Sequence, residues 1–239
     1  MNVDAVAPPA GLTRESIRAR LAAATIAGPR GDVATAMRLM EQGNLTPYKT
    51  GNMGAVHTTR IPYNRGAGAP GVEKQLTPAA VLVPLVHYED GFTVLLTQRT
   101  AELSAHAGQI SFPGGRLEDD DENAIAGALR EAEEETGLPP AQVEILGRLD
   151  PYVTITGFEV TPIVGAVTPP LDLQPDPVEV ADIFEVPLDF FLNPANHQRV
   201  SREANGQKRA FYAMPFGDRY IWGATAGMLV NLYEVMTAQ

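Results

Sequence analysis

GGRLEDDDENAIAGALREAEEETGL, residues 114 to 138, is where the charge of the chain concentrates. Between Arg116 and Gly137 stand nine acids (Glu118, Asp119, Asp120, Asp121, Glu122, Glu131, Glu133, Glu134, Glu135) and two bases, Arg116 and Arg130. Thus −7 of the net −11 falls in 22 residues. Ile125, Ala128, Leu129, Ala132 and Thr136 recur at the spacing of one helical face, which predicts an amphipathic helix over about Glu122 to Thr136. Gly137 is placed to end it in the left-handed conformation. Glu131, Glu134 and Glu135 stand three and four residues apart, so they share a different face, where like charges repel by roughly 0.2–0.5 kcal/mol each. Two readings remain open for that face: a solvated acidic surface partnered by Arg130, or ligands for a hard divalent cation, Mg²⁺ or Mn²⁺, which prefers oxygen donors. The glycines of Phe112-Pro113-Gly114-Gly115, just before the helix, permit close approach of an anionic ligand and favour the second reading.

Outward from this segment the chain alternates strand and helix without regular βαβ repetition. Upstream, AAVLVPLVHY and FTVLLTQR are β-rich runs joined by a turn at Glu89-Asp90-Gly91; Pro84 within the first suggests an edge or a bulge. Gln109 to Phe112 is a further short strand. Downstream, strands are expected near Val143–Leu149 and Glu159–Val167, then a proline-rich loop from Pro169 to Pro177 and an apolar segment Ile183–Leu192. Strands near Gln198–Arg202 and Ala210–Pro215 follow, with a last helix over about Ala224–Met236. That helix is expected to turn Met228, Leu229, Leu232, Val235 and Met236 inward. The order predicts an α+β fold, an α/β/α sandwich, rather than a doubly wound sheet.

The first 75 residues read differently. TRESIRARLAAATIA (13–27) predicts a helix capped by Thr13 and stopped at Gly28-Pro29. A second helix is expected over Asp32–Glu41, with Val33, Ala36, Met37 and Met40 on one side. From Gly43 to Gly71 the dense Gly, Pro, Asn and Thr show no period and predict a linker or irregular loop. The expected division is therefore a helical extension with linker over 1–75 and a main domain over 76–239.

Composition bounds the function. The chain has 239 residues, 44% of them hydrophobic and 20% charged, in the range of a folded globular protein. Eighteen Lys plus Arg against 29 Asp plus Glu argue against nucleic-acid or anionic-membrane partners. The absence of cysteine removes disulfides, thiolate metal sites and Cys nucleophiles, and suits a reducing, cytoplasmic setting. The N-terminal sequence lacks the pattern of a signal peptide, and no apolar run reaches membrane-spanning length.

Residues 114–138 resemble the Nudix box, G-x5-E-x7-R-E-U-x-E-E-x-G-U with U a bulky aliphatic. Arg130, Glu131, Glu134, Glu135, Gly137 and Leu138 match in register; Ala132 stands at the first U. One extra residue separates Gly115 from Arg130, so the early acid of the box is either Asp121 or Glu122. The family branch that hydrolyses coenzyme A carries this insertion together with an upstream signature resembling L-L-T-x-R-[SA]-x-x-L-R-x-H-x-G-Q-[IV]-x-F-P-G-G. Leu95, Leu96, Thr97, Arg99, Leu103, His106, Gly108, Gln109, Ile110, Phe112, Pro113, Gly114 and Gly115 match it. Thr100 and Ser104 depart, the second replacing a base.

The resemblance implies a Nudix fold with a mixed central sheet and a catalytic loop-helix-loop. It also implies hydrolysis of a nucleoside diphosphate derivative with Mg²⁺ or Mn²⁺ as cofactor. Glu131 and Glu135 are the implied principal metal ligands, and Glu134 is a third ligand or orients water. Arg130 is expected to hold a carboxylate in its rotamer, and the general base is left open among the glutamates of the box, Glu131 and Glu134 included, and Glu179 on the loop after the proline-rich stretch. Arg99, His106, Gln109, Gly114 and Gly115 are implied substrate contacts, although a lone histidine is more often structural. For the adenine ring Phe158, Tyr152 and Trp222 are candidates, although a ring of this kind is more often a core residue. The expected partner is coenzyme A, with a homodimer left open. Because Ser104 lacks the signature's base, ADP-ribose or NADH hydrolysis stays as an alternative, as does a Nudix-fold nucleotide-binding module without catalysis.

Overall fold

The computed structural model describes residues 11–24, 30–48, 76–102, 107–204 and 207–238. In chain order its elements are α1 (Arg14–Ala23), β1 (Arg30–Gly31), α2 (Asp32–Gln42), β2 (Thr46–Pro47), β3 (Thr77–Tyr88), β4 (Gly91–Arg99), β5 (Ile110–Ser111), β6 (Gly114–Arg116), α3 (Ala124–Thr136), β7 (Val143–Arg148), β8 (Tyr152–Val153), β9 (Phe158–Val167), β10 (Val180–Pro187), α4 (Leu188–Leu192), β11 (Gln198–Ala204), β12 (Gln207–Phe216), β13 (Arg219–Trp222) and α5 (Ala224–Thr237).

Among the described residues, one sheet runs β1-β8-β9-β3-β4-β10, with β5 on β4, β6 on β3 and β7 on β9. It is mixed, since β3 runs parallel to β9 and antiparallel to β4. Its central strand is apolar on both faces. Ala80, Leu82 and Val86 pack with Ala128, Ala132 and Leu138 on the α3 side. Ala79, Val83 and Leu85 join Ile17, Leu21, Leu149, Leu229 and Leu232 on the other. Helices thus cover both faces, an α+β sandwich with the architecture expected of the Nudix fold.

Pro84 corrects the expectation of an edge, because β3 lies inside the sheet. Its β6 pairing ends at Val81 and its β4 pairing begins at Leu85. Backbone N–H groups alternate along a strand, and Leu82 donates on this side to the Pro113 carbonyl at 2.9 Å. The Pro84 nitrogen therefore falls in the gap between β6 and β4, where no donor is required.

The N-terminal helices form with adjusted boundaries. Thr13 caps α1 through a reciprocal bond with Ser16, and the helix ends at Ala23, short of the expected Gly28-Pro29. Helix α2 buries Thr35 and Leu39, whereas Val33, Met37 and Met40 of the expected stripe are exposed. In the span expected to be irregular, Thr46–Pro47 pairs parallel with β11, while residues 49–75 lie outside the described ones. On α3 the expected stripe holds at Ala128, Ala132 and Thr136 but not at Ile125, which is exposed.

The apolar segment 183–192 divides at Pro187 into β10 and α4. A second sheet, β13-β12-β11-β2, sits beside the β10 edge. Arg219 of β13 lies 4.4 Å above the Phe184 ring and bonds Asp182 and Gln98, tying the sheets together. Among the described residues no helix is long and apolar enough to cross a membrane.

Candidate active site

The site is built where β6 is wedged between β3 and α3. Gly114 has φ +151°, and a Cβ there would stand 2.4 Å from the Ala80 carbonyl oxygen. A Cβ on Gly115 would stand 2.5 Å from Glu131 Oε1. Only glycine lets the strand approach this closely, and that approach brings the Glu131 carboxylate against the backbone. At the other end of α3, Gly137 adopts φ +72° and its N–H donates to Glu133 O at 2.8 Å.

The three glutamates occupy three environments. Glu135 is buried: its Oε2 accepts from the Gly114 N–H at 3.3 Å and its Oε1 from Arg99 Nη1 at 3.3 Å. Burial pushes its carboxyl up to about 7; Arg99 and the Gly114 amide oppose the rise, and Glu131 and Glu179 add to it. Glu131 is half-buried, and desolvation raises it too, against the pull of Arg130 at 3.2 Å. Glu134 is exposed and pairs with Arg130 Nη1 at 2.9 Å.

Arg130 is held at several points. Asp121 Oδ1 accepts from Nε at 3.1 Å, Asp121 Oδ2 from Nη2 at 3.0 Å, and the Arg116 carbonyl from Nη2 at 3.2 Å. Arg130 and the Glu118 N–H in turn hold the Asp121 carboxyl below the usual carboxylate range. Of the two early acids, then, Asp121 faces the helix and Glu122 is exposed. Arg130 touches Glu131 and Glu134 from a fixed position, the arrangement of a group that sets carboxylate rotamers.

Glu179 arrives from the loop before β10. The Asp176 N–H donates to Glu135 O at 3.0 Å and the Gln174 N–H to Thr136 O at 2.9 Å, so the loop caps the open carbonyls of α3. The Thr100 N–H donates to Glu179 O at 2.9 Å, fixing the loop to the end of β4. Glu179 Oε2 accepts from Arg99 Nη2 at 3.4 Å.

Sequence-predicted residues from separate parts of the chain therefore meet: Arg99, Gly114, Gly115, Arg130, Glu131, Glu134, Glu135 and Glu179 share one contact network. Gln109 stands beside it, its carbonyl accepting from the Arg99 N–H at 2.9 Å. His106 and Ser104 lie outside the described residues. Tyr152 is a core residue whose hydroxyl donates to Asp32 Oδ1 at 2.8 Å, and Trp222 packs on Phe211 in the second sheet. Phe158 is partly exposed beneath Arg116, at 5.3 Å. Sequence reading alone did not anticipate the pairing of Arg99 with both Glu135 and Glu179, for which no local spacing gives a signal.

Among the described residues, no three acidic or histidine side chains converge as a preformed ion cage. Instead the carboxylates of Asp121, Glu131, Glu134, Glu135 and Glu179 are shared between two guanidiniums, leaving negative charge in excess. Oxygen-only donors, a desolvated glutamate and a glycine cradle fit a hard divalent cation.

A family model, the NUDIX domain, matches residues 76–204. The uncharacterised Nudix hydrolase NudL of Escherichia coli (strain K12) is 41% identical over 154 residues, which are 64% of this chain and 80% of the relative. NudL of Shigella boydii serotype 18 is 40% identical over the same shares. Among solved structures, the Ap4A hydrolase binary complex of C. elegans aligns at 22% identity over 46% of this chain and 80% of that one, with a TM-score of 0.41. RenU, a Nudix hydrolase from M. smegmatis, aligns at 26% identity over 47% and 71%, with a TM-score of 0.38. With the family model covering more than half of the chain and its acidic helix folded against the glycine turn, this protein belongs to the Nudix hydrolases, enzymes that act on pyrophosphate bonds.

Proposed function

We propose that the protein is a divalent-cation-dependent diphosphatase of coenzyme A that releases 3′,5′-ADP and 4′-phosphopantetheine, and that it extends to acyl-CoA thioesters, from which the second product would keep its acyl group. The observation that carries this reading is the contact of Arg99, a residue of the coenzyme A-type upstream signature, with Glu135 of the Nudix box. Arg99 and Glu135 stand 36 residues apart in sequence, yet β4, β5 and β6 bring them to one place.

In this reading Glu131 and Glu135, with Glu134 as a third ligand, would hold Mg²⁺ or Mn²⁺, and the ion would supply neutralisation of the diphosphate oxygens and a lowered pKa for the attacking water. The chain's own groups do the rest. Gly114 and Gly115 leave room beside the carboxylates for the diphosphate. Arg99, with Gln109 and His106, binds it. Arg130, fixed by Asp121, holds Glu131 and Glu134 in place. Glu179 is the candidate that takes the proton of the attacking water, and Glu134 is the alternative. Water adds to one phosphorus as the P–O–P bond breaks, and the proton passes to that carboxylate.

The test is incubation with coenzyme A and Mg²⁺, with chelator controls, and identification of the products. Formation of 3′,5′-ADP supports the reading; its absence, with turnover of ADP-ribose or NADH, moves the assignment to the alternative that Ser104 favours. Tight nucleotide binding without any turnover would instead identify a binding module. Light scattering of the same preparation reads whether the protein partner is a second copy.

A further inference from the structure

Arg99 and Arg130 are both surrounded by carboxylates, but they are held in different ways. Arg130 is gripped through Nε and Nη2 by Asp121 at 3.1 and 3.0 Å and has further acceptors. Arg99 reaches Glu135 at 3.3 Å and Glu179 at 3.4 Å, both near the long limit of a hydrogen bond. Its Nε is buried without an acceptor among the described residues. An unmet buried donor is costly, so Arg99 is held less firmly in its place than Arg130, whose Nε and Nη2 both have acceptors. Arg99 is therefore well placed electrostatically and poorly placed as a structural clamp.

Its electrostatic task is plain. Glu135 is buried, with a side-chain exposure of 5%, and a carboxylate so far from water requires a cation. Arg99 supplies it, itself only 23% exposed. A divalent ion on Glu135 would supply the same neutralisation, and two cations on one carboxylate repel each other. We propose that Arg99 is an internal counterion which a divalent cation displaces from Glu135, and that the freed guanidinium then binds a non-bridging oxygen of the substrate diphosphate. This rests on the divalent-cation reading of the site given above, but not on coenzyme A being the substrate.

Glu179 is what makes the exchange possible. Its backbone is tied to Thr100, the neighbour of Arg99, and its own side chain is half exposed. Leaving Glu135, Arg99 keeps one partner at the mouth of the site rather than swinging free. Cation and diphosphate then bind cooperatively, since the first displaces the group that the second uses. The covalent chemistry is untouched; only ion pairs are exchanged.

The experiment measures two affinities in the full chain, in alkaline buffer so that the carboxylates carry no protons. Mn²⁺ binding is read by calorimetry without nucleotide. Binding of α,β-methylene-ADP, a diphosphate that cannot be hydrolysed at the bridge, is read with Mn²⁺ saturating. Arg99→Gln is expected to bind Mn²⁺ about 5-fold or more tightly than wild type, because its competitor is gone, and to bind the nucleotide about 5-fold or more weakly. Arg99→Lys keeps the charge without the fork; it should hold Mn²⁺ near wild-type affinity and still lose nucleotide affinity, and it serves if Arg99→Gln does not fold. Mn²⁺ affinity that is unchanged or lower in Arg99→Gln would overturn the exchange, because a clamp or a bystander predicts that result. Unchanged nucleotide affinity would overturn the transfer to phosphate. If the wild type binds no Mn²⁺, the cation reading fails first and the exchange with it; if it binds Mn²⁺ but does not cleave coenzyme A, only the substrate assignment falls.

Discussion

Asp121 grips Arg130 at two points, Oδ1 on Nε at 3.1 Å and Oδ2 on Nη2 at 3.0 Å, and thereby sets where Arg130 meets Glu131 and Glu134. Asp121→Asn keeps the size of the side chain and removes the charge. Activity should fall about 10- to 100-fold, the usual effect of losing a partner that orients a ligand. The fold should remain, as circular dichroism would report. Wild-type turnover in this variant would show that Arg130 needs no such support.

The two glycines of the turn should separate stability from function. Gly115→Ala puts a methyl 2.5 Å from the Glu131 carboxylate, the movable end of a side chain, so the helix survives and the carboxylate shifts. A displacement near 1 Å at reacting groups costs about 100-fold in rate. Gly114→Ala instead meets the backbone of Ala80 at φ +151° and should lose about 1–3 kcal/mol from the backbone conformation alone. Denaturant unfolding of both variants, beside their kcat, checks the contrast.

Glu135→Gln removes a proposed ligand and at the same time relieves a buried charge. Its kcat should fall by more than the ~100-fold that marks a supporting residue, while its thermal midpoint rises. Wild-type kcat would refute the ligand assignment.

His197 offers a pH test away from the site. Its Nε2–H donates to Phe191 O at 2.7 Å, its ring lies edge-on to Tyr233, and burial holds its pKa below the usual histidine value. The unfolded chain takes up this proton near pH 6.5, the folded chain only at lower pH. The stability due to the neutral ring is therefore present above about 6.5 and lost as pH falls through the depressed value. Unfolding free energies measured from neutral to mildly acidic pH should slope more steeply in wild type than in His197→Gln.

What could be read from sequence follows distance along the chain. The acidic helix, its Gly137 terminus and the β3–β4 hairpin are encoded in local spacing and were legible, as was the pattern Arg130, Glu131, Glu134, Glu135. Two-residue pairs such as β1 with β8 or β2 with β11 are too short to carry a period. The buried side of α2 was misread because its three exposed apolar residues outnumber the pair that packs inward, Thr35 and Leu39, and only the surface beneath decides between them. Pro84 reads as an edge signal until the gap between the β6 and β4 pairings along β3 is known. The contacts of Arg99 belong to this second kind: each residue was legible, but their meeting depends on the sheet.

Ile17 and Leu21 of α1 and Leu39 of α2 lie in the same interior as the central strands, so motif similarity and side-chain packing draw different borders around this protein. The region shared with the family, 76–204, is not a portable cassette. A chimera carrying it alone would open an apolar seam to water, and grafts that aim to preserve the enzyme must take the flanking helices along.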